Sequence, residues 1–215
     1  MKKKKLRLAI ALLASFALWT ALVRLADVQA IGPEGSVVGF ATLNGSVHKL
    51  TGVNWILYTV TDWLGLVPIA VALGFAVLGL AQLISRKSLC RVDRSILALG
   101  VFYFVVMVAY LFFEAVVINY RPVLIDGQLE ASYPSSTTML VMCVMPTAAI
   151  QLNARIKDNL LRRIVTISVV AFTAFMVVGR LVSGVHWVTD IIGGVLLSAG
   201  LVETYCGVIL EEYSR

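Results

Sequence analysis

This sequence is short of charge. Only 14% of its 215 residues are charged, against 60% hydrophobic, and the mean hydropathy is +0.91. A water-soluble domain carries about a quarter charged residues, so that class is excluded and lipid is the expected solvent. Cysteine is scarce and odd in number. Cys90, Cys143 and Cys206 stand apart without metal-ligand spacing, which excludes a disulfide framework and leaves them to be read as buried thiols. Histidine is scarcer still, with His48 and His186 alone. There is no repeat, low-complexity tract or linker, so residues 1–215 are expected to form a single membrane-embedded domain with no room for a second, soluble one.

What is present is a series of apolar runs. A helix needs roughly 20 mostly apolar residues to cross the hydrocarbon core. Six runs meet or approach that length: Leu8 to Val23, Leu57 to Ile84, Ile96 to Ile118, Ser135 to Leu152, Ile164 to Val182 and Val188 to Leu210. The expected fold is therefore all-α, a polytopic bundle of about six transmembrane helices. The first run follows Lys2 to Lys5 and Arg7, as a secretory signal does, but Asp27-Val28-Gln29-Ala30 is a poor cleavage site, so an uncleaved first span is expected. Asp62 and Trp63 sit near one end of the second run as an interfacial pair. Pro134 precedes the fourth, where proline suits a helix's first turn, and Pro146 falls midway along it.

The net charge of +6 does not indicate a nucleic-acid partner, because the basic residues lie between apolar runs rather than on one soluble face. They report topology instead. With the amino terminus in the cytoplasm, Lys2 to Lys5, Arg7, Arg86, Lys87, Arg91, Arg94, Arg155, Lys157, Arg162, Arg163 and Arg215 are inside. These are fourteen of eighteen, leaving Arg24, Lys49, Arg121 and Arg180 outside. That asymmetry satisfies the positive-inside rule for a multi-pass cell-membrane protein. The Gly-rich stretch 30–52 is expected along the outer interface, where Val37, Val38, Phe40, Ala41 and Leu43 fit either a short amphipathic helix or a loop.

This orientation gathers three polar clusters at the outer face: Asn119-Tyr120-Arg121-Pro122, Tyr133-Pro134-Ser135-Ser136-Thr137, and the segment from Gly179-Arg180 to Asp190. Two arginines beside the one membrane-proximal histidine suit an anion, since guanidinium groups grip phosphate oxygens in pairs and keep their charge. His186 and Asp190 are four apart, hence on one helix face. In one reading the carboxylate fixes the imidazole's tautomer; in the other the histidine is interfacial and the aspartate caps a helix.

Arg180, five residues, His186, three residues, Asp190 resembles the third motif of the type 2 phosphatidic acid phosphatase and haloperoxidase superfamily. Arg121-Pro122 is similar to the end of its first motif and Pro134-Ser135 to the start of its second, so the resemblance covers Glu114 to Gly194. It implies that His186 attacks phosphorus with support from Asp190 and that a phosphohistidine forms. It implies too that Arg121 and Arg180 hold the phosphoryl oxygens, with Ser135, Ser136 and the amides opening the fourth span adding donors. No metal or other cofactor is implied. The substrate would be a lipid phosphate or a prenyl diphosphate.

Two positions depart from the family. Glu114 stands seven residues before Arg121, where the first motif has lysine. An ionised carboxylate about 4 Å from phosphate costs up to about 4 kcal/mol per charge pair at an effective dielectric of 20, so Glu114 is expected to turn toward an arginine or water. Thr137 stands where the second motif has the histidine that protonates the leaving group, and it is expected to face the pocket. Losing a general acid costs roughly 10²- to 10⁴-fold, least where the leaving group is itself a phosphate. Glu114 or His48 are the residues that could replace that acid. Two functions follow as expectations: hydrolysis of a lipid phosphate or diphosphate, or a catalytically degenerate lipid-phosphate binder on the same fold.

Overall fold

The computed structural model describes residues 2–209, so Arg215 and the Leu210 end of the last apolar run lie outside the described residues. Among the described residues eight α-helices follow one another: α1 (Lys2–Leu25), α2 (Ala41–Thr51), α3 (Trp55–Leu64), α4 (Leu66–Arg86), α5 (Arg94–Ala115), α6 (Ser136–Arg155), α7 (Asn159–Val182) and α8 (Val188–Ile209). Six segments are long and apolar enough to cross a membrane, namely α1, the α3–α4 pair, α5, α6, α7 and α8. The architecture is all-α, with isolated bridges but no strand among the described residues.

Most helices run a few residues past the apolar stretch that marks them. The polar ends Lys2 to Lys5 and Asn159 to Arg163 still hydrogen-bond as helix, with Asp158 capping α7 by accepting from the Leu161 N–H at 2.6 Å. The second span is two helices: α3 and α4 meet at Gly65, and together they cover 32 residues, more than a bilayer core requires. In the loop between α1 and α3 each expectation for residues 37–43 holds in part, a loop first and then a helix. Val38 pairs with Gln29 in a β-bridge, and the helix begins only at Ala41, after Phe40 has taken a left-handed conformation with φ 49°. Of the cysteines only Cys143 is buried; Cys206 is half-buried and Cys90 exposed, because Cys90 sits in the polar turn between α4 and α5 rather than in a span.

α6 and α8 form the centre. α8 packs against α1 along most of its length and against α5 and α6, while α6 also meets α4 and α7, and α3 lies on α7. Phe16, Leu99, Phe102, Tyr133, Met139, Leu197 and Tyr205 fill the space between them. Tyr133 stacks on Phe16 and shares a 2.7 Å hydrogen bond with Thr20 of α1. Gly193 permits this: a Cβ there would lie 2.6 Å from the Tyr133 ring. The segment leading into α6 is thereby pressed onto the start of α8.

Candidate active site

The loop between α5 and α6 folds back on itself. Asp126 and Gly127, both with positive φ, make a two-residue turn closed by hydrogen bonds between Ile125 and Gln128. Further out, the Arg121 N–H donates to the Glu130 carbonyl at 3.0 Å and the Ser132 N–H to the Asn119 carbonyl at 2.9 Å. Arg121 thus lies opposite Glu130, and Asn119 opposite Ser132. The turn between α7 and α8 is fixed by Gly184, whose φ of 70° favours glycine and whose Cβ would fall 1.8 Å from the Gly52 carbonyl oxygen. That turn presents His186 to the folded loop.

Arg121, Arg180 and His186 come together. Arg121 Nη1 lies 3.2 Å and Arg180 Nη2 3.3 Å from His186 Nε2. Guanidinium nitrogens only donate, so Nε2 carries a lone pair and the ring proton belongs on Nδ1. Nδ1 lies 3.0 Å from Ser132 Oγ, whose hydroxyl donates to Asp190 Oδ2. Burial, then the charges of Arg121 and Arg180, hold the His186 pKa well below the usual histidine value, which keeps the ring neutral.

Direct hydrogen bonding between His186 and Asp190 does not occur: Nδ1 and Oδ2 are 3.9 Å apart because the Ser132 hydroxyl sits between them. Asp190 also accepts from the Trp187 N–H at 2.9 Å and from Asn119 Nδ2 at 3.4 Å. The pairing of charges around the arginines is uneven. Arg180 is 1% exposed, and its Nε and Nη1 make no hydrogen bond. Asp62 Oδ1 stands 3.5 Å from Nη1, and the Tyr58 ring lies under the guanidinium at 5.1 Å. Asp62, expected as an interfacial residue, is therefore a neighbour of the site. Arg121 Nε faces Glu130 Oε2 across 3.0 Å.

A cavity of about 250 Å³ opens over His186 and Arg121, lined also by Tyr110, Glu114, Glu130, Ser132 and Ser136. Glu114 is therefore at the pocket, and the residue paired with Arg121 is Glu130, because the folded loop and not the end of α5 lies opposite the arginine. Thr137 does not face this cavity. Successive helical side chains diverge by about 100°, so Ser136 and Met139 line it while Thr137 and Val144 turn to a neighbouring apolar cleft. Ser135 is also redirected. Its hydroxyl accepts from the Thr138 N–H at 3.4 Å as the cap of α6, and its own N–H donates to the Asp190 carbonyl, so it buttresses rather than lines the cavity. His48 packs edge-on against Trp187 and is not part of the lining.

The apolar cleft measures about 1150 Å³ and runs between α4, α5 and α6. It shares Tyr110, Ser136 and Met139 with the polar cavity, so the two adjoin. Among the described residues no group of three or more His, Cys, Asp or Glu side chains is placed to hold a metal ion.

The sequence model of the PAP2 superfamily matches residues 68–207, well over half of the chain. The chain belongs to the PAP2 superfamily. The solved transmembrane PAP2-type phosphatidylglycerolphosphate phosphatase from Bacillus subtilis is similar in fold, with a TM-score of 0.59 and 21% identity over 96% of this chain and 97% of that one. No curated protein sequence matches. Six spans and this fold define a multi-pass membrane protein. The family match starts at residue 68, so Asn44, Tyr58 and Asp62, which support Thr189 and Arg180, come from outside it.

Proposed function

We propose that this protein hydrolyses a lipid-linked phosphate or diphosphate at the extracytoplasmic membrane face through a phosphohistidine on His186. The observation that carries the reading is the convergence of two buried guanidinium groups on the unprotonated Nε2 of a neutral histidine. A phosphoryl group entering there would take over the N–H groups that now point at the lone pair. Arg180 stands behind His186 rather than in the cavity lining, so the nitrogen it offers the phosphoryl group is Nη2, the one that now faces Nε2. Nε2 then faces phosphorus in line with the leaving oxygen, and the arginines neutralise charge on the equatorial oxygens. Water completes the cycle by hydrolysing the phosphohistidine. The steps use protein side chains, lipid and water, and require no cofactor.

A lipid substrate is supported by the cleft adjoining the cavity, apolar enough for a hydrocarbon tail whose phosphate sits at His186. The extracytoplasmic placement rests on the distribution of basic residues, with the amino terminus cytoplasmic and the whole chain acting as one domain.

One observation favours a second reading, a lipid-phosphate binder without turnover. The cavity holds no histidine besides His186, and it carries Glu114 and Glu130. Phosphate release by the purified protein from phosphatidate, a prenyl monophosphate and a prenyl diphosphate separates the two. The expected result is release abolished by His186→Ala and fastest from the diphosphate, whose leaving phosphate needs no acid. Binding without release, weakened by Arg121→Ala or Arg180→Ala, would establish the binder instead.

A further inference from the structure

The resemblance that singles out His186 and Asp190 does not single out Ser132, yet Ser132 is the side chain that joins them. It is 3% exposed, and its Oγ is within hydrogen-bond distance of both His186 Nδ1 and Asp190 Oδ2, which are themselves too far apart to bond. Its place is secured twice, by the Ser132 N–H donating to the Asn119 carbonyl and by the neighbouring Tyr133, wedged between α1 and α8. A hydroxyl has one proton to give. Here it goes to the carboxylate, which leaves an oxygen lone pair for the imidazole Nδ1–H.

We infer that Ser132 is a positioning residue for the nucleophile, a hydroxyl bridge that holds the proton of His186 on Nδ1 and transmits the Asp190 charge to the ring. The inference rests on the phosphohistidine reading for its catalytic meaning. During transfer the Nε2 lone pair forms the N–P bond, the P–O bond breaks, and the leaving oxygen takes that electron pair. The ring, phosphorylated on Nε2 and still protonated on Nδ1, becomes a cation. That charge is met by Asp190 through two hydrogen bonds in series, Nδ1–H to Ser132 Oγ and Ser132 O–H to Asp190. No proton has to leave the ring. Water attack on phosphorus returns the electron pair to Nε2 and restores the neutral tautomer. Without the hydroxyl, the bridge from Nδ1 to Asp190 is broken and only the Ser132 main chain is left beside the ring, so the tautomer with its proton on Nε2, where it cannot attack, gains population.

The chain has two histidines, so ¹⁵N-histidine labelling reports two rings, and a His48→Asn background leaves His186 alone. The expected spectrum shows a neutral ring protonated on Nδ1, and Ser132→Ala shifts population to the Nε2–H tautomer or speeds exchange of the Nδ1 proton. In phosphate release Ser132→Ala lowers kcat on the order of 10²- to 10⁴-fold, as loss of the correct tautomer does. KM changes by less than about threefold because the arginines that bind phosphate are untouched. Ser132→Thr, which keeps the hydroxyl, returns activity to within about tenfold of the unmodified protein. A ring protonated on Nε2 in the unmodified protein, or a Ser132→Ala spectrum indistinguishable from it, overturns the inference. So does an unchanged kcat in Ser132→Ala. Should Ser132→Ala fail to fold, the tautomer of the unmodified protein and the kinetics of Ser132→Thr decide the matter. If no phosphorylated lipid is hydrolysed at all, the hydrolase reading falls while the tautomer still judges Ser132.

Discussion

The two ends of the bundle each carry a polar cluster, half-exposed at one end and buried at the other, and they differ in whether the cluster is satisfied. At the end away from His186, Asp93 accepts from Gln82 Nε2 at 2.9 Å and from Arg86 Nη1 at 2.8 Å, with Arg155 Nη2 at 3.4 Å. Gln151 donates to Tyr205, and its side-chain carbonyl accepts from Arg155. No buried side-chain polar atom of Gln82, Asp93, Gln151 or Arg155 lacks a partner. This closed network ties α4, α5, α6 and α8 together. At the His186 end, Arg180 is enclosed while its Nε makes no hydrogen bond, its Nη1 has only the Asp62 carboxylate at 3.5 Å, and its Nη2 points at the lone pair of His186. A network that satisfies itself is a structural clamp; one that keeps donors in reserve is built around something that arrives.

Breaking each cluster should therefore have opposite consequences. The largest effect is expected at His186, where alanine removes the nucleophile and lowers phosphate release by on the order of 10⁴-fold or more, with retention on size exclusion unchanged. Arg180→Ala comes next, lowering kcat by about 10²- to 10³-fold through loss of a charged donor to the phosphoryl oxygens. Arg180→Lys should recover little of this, because one ammonium cannot reach His186, Asp62 and a phosphate together. At the other end, Gln151→Leu should reverse the pattern, costing about 1–3 kcal/mol of stability by deleting the hydrogen bonds of a fully buried amide, and Asp93→Ala, whose arginine partners are exposed, should cost about 1 kcal/mol or less. Thermal unfolding in detergent measures that loss, while turnover per folded molecule should stay within about twofold. A Gln151→Leu protein with intact stability and lost turnover would erase the distinction between the two ends.

The spans and the arginine–histidine convergence were legible because they depend on local quantities, the length of apolar runs and the placement of basic residues between them. Asp190 was legible by its i, i+4 spacing from His186. Ser132 was not, since its role depends on the register of the folded loop. Asp126-Gly127 is a hairpin signal in the sequence, but three residues, Pro122 to Leu124, stand against Leu129 alone between the paired positions, and no turn rule predicts that offset. Asp62 was read as half of an interfacial pair with Trp63, and its contact with Arg180 was not foreseen. Its approach to Arg180 comes from the packing of α3 on α7, a tertiary fact with no local signature.

The direction of Thr137 alters what a restored acid requires. Histidine at Thr137 would enter the apolar cleft beside Leu140 and Val144 and should leave turnover within about twofold. Ser136 lines the cavity with Met139, so Ser136→His is the substitution expected to help. It should raise monoester turnover by about tenfold, at the low end of what general acids contribute, and diphosphate turnover by less. Parallel rates on a prenyl monophosphate and a prenyl diphosphate test this. A larger gain from Thr137→His than from Ser136→His would show that α6 presents a different face to the substrate.

The smallest expected effect is a pH dependence of stability that only one end of the molecule should show. The groups facing His186 are Arg121 from the folded loop, Arg180 from α7 and Asp190 through Ser132 on α8, with Glu114 and Glu130 across the cavity. Burial and the two arginines lower its pKa in the folded protein, whereas the unfolded ring titrates near 6.5. Below that pH the unfolded chain takes up a proton that the folded site refuses. Stability from this residue is therefore complete above about pH 6.5 and is lost as pH falls from there toward the folded pKa, by at most about 1.4 kcal/mol per pH unit. His48, lowered by its own burial against Trp187, acts with the same sign, so the measurement belongs in a His48→Asn background. Thermal unfolding between pH 5 and 8 should then show a fall on the acid side that His186→Asn removes and Gln151→Leu keeps. An identical acid-side slope in His186→Asn would mean that the imidazole is protonated in the folded protein, and a protonated ring has no lone pair on Nε2 with which to attack phosphorus.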